Sequence, residues 1–297
     1  MINSFLNKLL CTRCNKKIYI NNVVYKKKRL INGTLICKNC KRKYKIINNV
    51  IDFSKVKHEN INKIYNKYWN DLPIDFKRNI DSNEISIFQS IKSSLSNKIV
   101  FDAGCGDGRL IPTICKHKPK MLIVADFTDI IFYTAKKYFN KFNDIPIIFI
   151  KIDLSDQFVK KNFIDSTITL GSINFKIKQS KIIKNLDLVS KDLLLIGLVS
   201  NISMLGKFYQ SLNPIRYIFK LKIFKVLILI MKFIILNTTL RKIKIIFTIG
   251  NYFYSLLEFL ISPIIVRHNN DYYKKYVKKN KITIYTNKLL DYLVFKS

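Results

Sequence analysis

Acidic residues are scarce in this chain: 19 Asp and Glu stand against 53 Lys and Arg in 297 residues, a formal net charge of +34. That balance argues against an acidic-surface protein and for contact with nucleic acid or an anionic membrane. Arginine is scarce too, with eight against 45 lysines, while Ile and Asn are heavily used. Lys, Ile and Asn share A/T-rich codons, so part of the basicity reflects coding composition rather than a binding surface. The charge is also uneven: net +13 over residues 1–60, +7 over 61–204 and +14 over 205–297. A polyanion is therefore expected on the flanks. No run of about 18 uncharged apolar residues occurs. The two long apolar stretches, Tyr217–Leu236 and Ile243–Val266, are broken by Lys222, Lys225 and Lys232 and by Lys244 and Glu258. No transmembrane span is expected from them. They read as a helical lid or as interfacial helices making peripheral membrane contact over 217–266.

Cysteine is sparse but patterned. Four of the six occur as Cys11-Thr12-Arg13-Cys14 and Cys37-Lys38-Asn39-Cys40, 22 residues apart. Each C-x-x-C turn aims two thiolates at one centre, and two turns complete a tetrahedral structural zinc site with no open position. The residues leading into the first pair do not form a secretory leader, so a reducing cytoplasmic setting is expected, where paired C-x-x-C reads as metal before disulfide. Lys17–Tyr25 and Leu30–Ile36 are β-prone, with Asn32-Gly33 as the expected hairpin turn. Residues 1–55 are thus expected to be a small β zinc ribbon, too polar to fold without its metal. With Tyr44–Phe53 behind the second pair, the ribbon resembles the zinc-ribbon activators of tRNA and rRNA methyltransferases. Its exposed basic run Lys26, Lys27, Lys28 and Arg29 is the natural RNA contact.

Glycine is rare, yet three of the eight fall within five positions of Ile99-Val100-Phe101-Asp102-Ala103-Gly104-Cys105-Gly106-Asp107-Gly108-Arg109. An apolar strand ends in an acid and turns sharply into a helix beginning near Asp107, with Pro112 late in its first turn. The spacing D-x-G-x-G-x-G differs from the dinucleotide G-x-G-x-x-G, and the aspartate favours a cationic or hydroxyl-bearing partner over a pyrophosphate. Further strands are expected at Met121–Asp126, Ile147–Asp153, Thr167–Gly171 and Leu193–Val199, with a helix over Ile130–Phe139.

The glycine turn, Asp126 after the second strand and Asp153 after the third resemble the class I S-adenosylmethionine-dependent methyltransferases over about residues 97–200. The resemblance implies an α/β, Rossmann-like and mostly parallel sheet across 56–204, followed by a helical insertion and the end of the core over 205–297. It implies a cofactor site at Asp102, Ala103, Gly104, Cys105, Gly106, Gly108, Asp126, Phe127, Asp153, Leu154 and Gly171. Asp102 would orient the methionine amino group, Asp126 bind the ribose hydroxyls, Phe127 line the adenine face and Asp153 accept from the adenine amine. Cys105 reads as a small buried residue. Trp69, in Tyr65-Asn66-Lys67-Tyr68-Trp69, reads either as a cap on that site or as part of a packed helix face. His58, His117 and His268 lie outside the expected rim and Asn174 cannot act as a base, so no catalytic residue is assigned. Thr286–Leu293 looks like the capped helix before the family's last two strands, which are either abbreviated or missing. The expected function is methyl transfer from S-adenosylmethionine to a small-molecule or lipid-like acceptor. RNA is the alternative acceptor, and a non-catalytic cofactor-binding partner protein the third reading.

Overall fold

The computed structural model describes residues 2–26, 29–54, 82–173, 179–214, 267–286 and 290–297. Trp69, Asn174, His58 and the apolar stretches over 217–236 and 243–266 lie outside the described residues.

The strands are β1 (Ile18–Lys26), β2 (Arg29–Cys37), β3 (Lys43–Ile47), β4 (Val50–Asp52), β5 (Ile99–Ala103), β6 (Met121–Asp126), β7 (Ile147–Lys151), β8 (Ile164–Leu170), β9 (Ser190–Val199), β10 (Lys281–Thr286) and β11 (Leu290–Lys296). The helices are α1 (Ile2–Leu6), α2 (Ser82–Ser90), α3 (Ile111–Lys116), α4 (Ile130–Tyr138), α5 (Gln179–Val189), α6 (Met204–Ser211) and α7 (Asn270–Lys274). All eleven strands form one sheet in the order β1-β2-β3-β4-β7-β6-β5-β8-β9-β11-β10. β5 through β9 pair in parallel. Their sequences, such as MLIVAD, are apolar on both faces because helices cover both sides, as a parallel sheet requires. β11 runs antiparallel to β9. The seven strands from β7 to β10 thus give the Rossmann-like methyltransferase sheet, and its strand order reverses at β5 and β8.

The ribbon is part of that sheet rather than a bead beside it. β4 pairs in parallel with β7, Val50 opposite Phe149. Leu10 N donates to Phe158 O at 2.8 Å and Lys160 N to Lys8 O at 3.2 Å. Phe5, Leu6 and Leu9 share a core with Phe158, Val159 and Leu186.

Three local expectations change. Asn32-Gly33 is not the hairpin turn but lies inside β2, facing Val24 and Val23, with register shifts on either side. A Cβ on Gly33 would come within 2.2 Å of the Asn22 carbonyl, so this glycine serves close backbone approach. The helix after the glycine turn starts at Ile111, not near Asp107, and its N-cap Leu110 makes no side-chain capping bond. Gly104, Gly106 and Gly108 have φ of 82°, 53° and 77°, which no right-handed helix tolerates. Helix begins only past the last of them, and this places Pro112 in the first turn, where its missing N–H costs nothing. Finally, Thr286 and residues 290–293 lie in strands, not in a helix. β10 and β11 form a paired hairpin from Lys281↔Lys296 to Thr286↔Asp291, so the last two core strands are present. The Thr286 hydroxyl that looked like a helix cap instead donates to Asp291 Oδ1 at 3.0 Å, while the β-branched and aromatic residues around it favour strand.

Candidate functional site

The carboxyl ends of β5, β6 and β7 meet at one edge of the sheet, and the expected cofactor residues gather there. Asp102 is 1% exposed on β5, and its Oδ2 has no hydrogen-bond partner among the described residues. Burial pushes its carboxyl up to about 7, against the pull of Arg109, and neighbouring Asp126 and Asp107 push the same way. Cys105 is buried as expected, its thiol donating to Gly106 O at 3.4 Å. Burial raises it far above an ordinary thiol, so it is no nucleophile.

Asp126 holds the turn together. Its Oδ2 accepts from Gly106 N at 3.0 Å, and its Oδ1 accepts from Thr128 N at 2.9 Å and Thr128 Oγ1 at 2.7 Å. Thr134 Oγ1 donates to Gly106 O at 2.8 Å from α4. Phe127 is half-buried beside Asp126. Asp153 follows β7, and its Oδ1 accepts from Ser155 N at 2.9 Å; Leu154 is buried next to it.

Two glycines of the turn face protein. A Cβ on Gly104 would sit 2.3 Å from Ser172 Cβ, in the loop after β8, and one on Gly108 would meet Thr134, Ile111 and Tyr138 inside 3.0 Å. Gly171 (φ 80°) faces open space, so its need is conformational. Ser172 Oγ pairs with Thr169 Oγ1 at 2.6 Å and donates to Ala103 O at 3.2 Å, drawing the β8 loop onto β5.

Several residues here carried a signal that the sequence reading did not use. Asp126-Phe-Thr128, Asp153-Leu-Ser155 and Asp52-Phe-Ser54 are the same D-x-[ST] pattern at the ends of the adjacent strands β6, β7 and β4. In each, the aspartate accepts from the backbone N–H two residues on, an Asx turn. Arg109 makes a bidentate pair with the buried Glu84 of α2, at 2.6 and 2.8 Å. No local pattern marks that pair. His268 was expected away from the rim, but its carbonyl accepts from Asn201 Nδ2 at 2.9 Å just beyond β9, and its ring stacks on Tyr272 at 3.8 Å. The long connection from α6 back to α7 had hidden this return to the rim.

The second site is the four-cysteine cluster. The sulfurs of Cys11, Cys14, Cys37 and Cys40 all lie within 4.8 Å of one another. The Cys11–Cys40 and Cys14–Cys37 distances are 3.4 and 3.5 Å, too long for disulfides and suited to sulfurs around one tetrahedral zinc. Burial raises the Cys11 thiol, but bonds from the Tyr44 hydroxyl and the backbone of Arg13 and Cys14 outweigh it and bring it down to about 6. A backbone bond from Arg42 lowers its partner Cys40, but burial and bonds from the other three cysteines outweigh it and push it up to about 11, so the pair shares one readily lost proton.

Arg29 departs from its expected role. It is 2% exposed, and its guanidinium donates to the carbonyls of Ile145, Lys141 and Phe142 at 2.6, 3.0 and 3.2 Å. It latches the ribbon to the core and is not available to RNA. Lys26 is exposed, and Lys27 and Lys28 lie outside the described residues.

No protein-family model and no curated protein matches this sequence. Among solved structures, it is similar to magnesium protoporphyrin IX methyltransferase from Synechocystis PCC 6803 with bound SAH, at 13% identity and TM-score 0.47, over 82% of this chain and 99% of that one. It is also similar to a putative sarcosine dimethylglycine methyltransferase from Galdieria sulphuraria, at 9% identity and TM-score 0.44, over 80% and 98%. An S-adenosylmethionine-dependent methyltransferase from Mesorhizobium loti matches at 11% identity and TM-score 0.33, over 38% and 51%. These likenesses concern the fold alone. Among the described residues, no helix is long and apolar enough to cross a membrane.

Proposed function

We propose that this chain binds S-adenosylmethionine beyond the carboxyl ends of β5, β6 and β7 and directs its methyl group to a small or lipid-like acceptor. Asp102 carries the reading: a buried carboxyl with one unpartnered oxygen, flanked by Asp107 and Asp126, is a pocket wanting positive charge. S-adenosylmethionine is cationic at both its sulfonium and its ammonium, and it supplies an already activated methyl. The protein's part is then to hold and align. Asp102 takes the ammonium side, Gly104 to Gly108 offer backbone, Asp126 accepts from the ribose hydroxyls, and Phe127, Asp153 and Leu154 frame the adenine. Exposed Ile202, Met204 and Phe208, on and before α6 after β9, favour an apolar acceptor. Asp107, Asp126, Asp129 and Asp153 at the same edge repel a polyanion, which disfavours RNA as the group entering there.

Isothermal titration with S-adenosylmethionine tests the site. Binding is expected, with a loss of tenfold or more in Asp126→Ala and in Gly106→Val, whose φ of 53° a branched side chain resists. Affinity unchanged in both variants would sink the assignment. Transfer of a labelled methyl group into a fractionated extract then identifies the acceptor.

A further inference from the structure

A cleft of about 1080 Å³ lies beside α5, lined by residues leading into β8, β9 and β10 and by Ser155, Asp156 and Gln157. Exposed cations reach it from separate parts of the chain: Arg13 in the first cysteine turn, Lys161 before β8, Lys181 and Lys184 on α5, Lys191 at the start of β9, and Lys275 and Lys278 before β10. Among the described residues, none of these seven forms an ion pair. Two aspartates line the cleft with them, Asp156 and Asp187. Asp187 is already engaged, pairing with buried Lys279 at 2.9 Å and accepting from Lys278 N at 3.1 Å. Cations thus outnumber the lining aspartates.

Like charges lining one cleft repel unless an anion sits among them. The cleft runs past the cysteine turn and α5, and its solvent-exposed cations come from several segments, as contacts along a phosphate backbone require. Tyr276 lines it half-buried, with Lys184 Nζ 5.1 Å from the ring centroid, pairing a stacking face with a cation as single-strand channels do. Exposed Asn162 and Asn280 add amides able to meet 2′-hydroxyls. We propose that this cleft binds single-stranded RNA, anchoring the protein at a surface separate from its methyl-transfer site. The proposal does not depend on cofactor binding.

Fluorescence anisotropy of the full chain with a labelled mixed-sequence RNA 20-mer, across a salt series, tests it. The triple variant Lys181→Gln, Lys184→Gln, Lys278→Gln should bind at least tenfold more weakly at low salt. Its salt slope should be flatter by about 2, at about 0.7 for each lost single-strand phosphate contact. A charge-matched control at exposed lysines of the ribbon face, Lys41→Gln, Lys43→Gln, Lys45→Gln, should change affinity less than threefold. Ultraviolet crosslinking followed by peptide mapping should mark Tyr276. Equal losses in the two triple variants would mean that diffuse charge does the binding, and would overturn the proposal. So would equal affinity for the same-sequence DNA strand or a DNA duplex, or a cleft variant that loses binding to phosphatidylserine vesicles while keeping RNA. S-adenosylmethionine titration of the same variants should be unchanged, which keeps failure here distinct from failure of the methyltransferase reading.

Discussion

A carboxyl such as Asp102 makes the fold more sensitive to pH than its position in a strand would suggest. In the folded chain it holds its proton to about 7, against an ordinary value of 3.8. Between those values the folded state binds a proton that the unfolded chain has lost, so this group lowers stability as pH rises through the window. Asp102→Asn removes the penalty. The variant should be more stable than the parent by up to about 4 kcal/mol at pH 8, with a smaller gain at pH 5. Urea midpoints at the two pH values check this, and an equal gain at both would refute it. The same substitution should weaken S-adenosylmethionine binding, since the neutral amide cannot pair with an ammonium. Arg109 behaves in the opposite sense. Its partner Glu84 is 3% exposed, so Arg109→Ala strands a buried charge and should cost about 3–5 kcal/mol in denaturant melts. Glu84→Gln with Arg109→Met should recover much of that loss. Asp102 and Asp126 were legible from sequence because a strand-end acid beside a glycine turn is a local pattern. The Arg109–Glu84 pair was not, since its members are 25 positions apart on elements that only packing brings together.

At the scale of elements, the ribbon hairpin carries the four-cysteine cluster and an aromatic path into the core. Tyr44 bonds Cys11 at 3.0 Å and packs on Phe53 at 4.8 Å, Phe53 meets Phe158 at 6.5 Å, and Phe158 meets Phe101 of β5 at 5.4 Å. Cys37→Ser, or a strong chelator, should release one equivalent of zinc and expose β1 to β3 to hydrogen exchange, with β5 to β9 losing protection later. Retained protection in β2 and β3 after complete chelation would show that the cluster is not what holds them. The cysteine spacing announced this site because four ligands in two tight turns leave little alternative geometry. The hairpin turn escaped the same reading. Asn-Gly is a strong turn signal, yet the close approach of the Asn22 carbonyl beside the Val23 pairing needs a glycine in mid-strand.

For the whole molecule, the ribbon and the Rossmann-like sheet share hydrogen bonds, a core and the Arg29 latch. Deleting residues 1–54 would expose the β7 edge and uncover Phe158 and Val159, so the remaining chain should lack a cooperative thermal transition. A sharp melt in that truncation, observed by circular dichroism, would show that the core stands alone. Charge is also regrouped at this scale, with cations from the ribbon, α5 and the segment before β10 lining one cleft, and the linear net charges of the segments do not reveal it.

The sequence by itself determined the parallel core, the glycine turn with its strand-end aspartates and the four clustered cysteines. Each of these rests on short-range spacing that backbone geometry makes unambiguous. Only the tertiary structure decided that β4 joins the ribbon to β7, that β10 and β11 complete the sheet, that Arg29 is buried, and that seven dispersed exposed cations share one cleft. Those outcomes depend on which distant segments pack together, and burial and pairing across the sheet, not local pattern, set that choice.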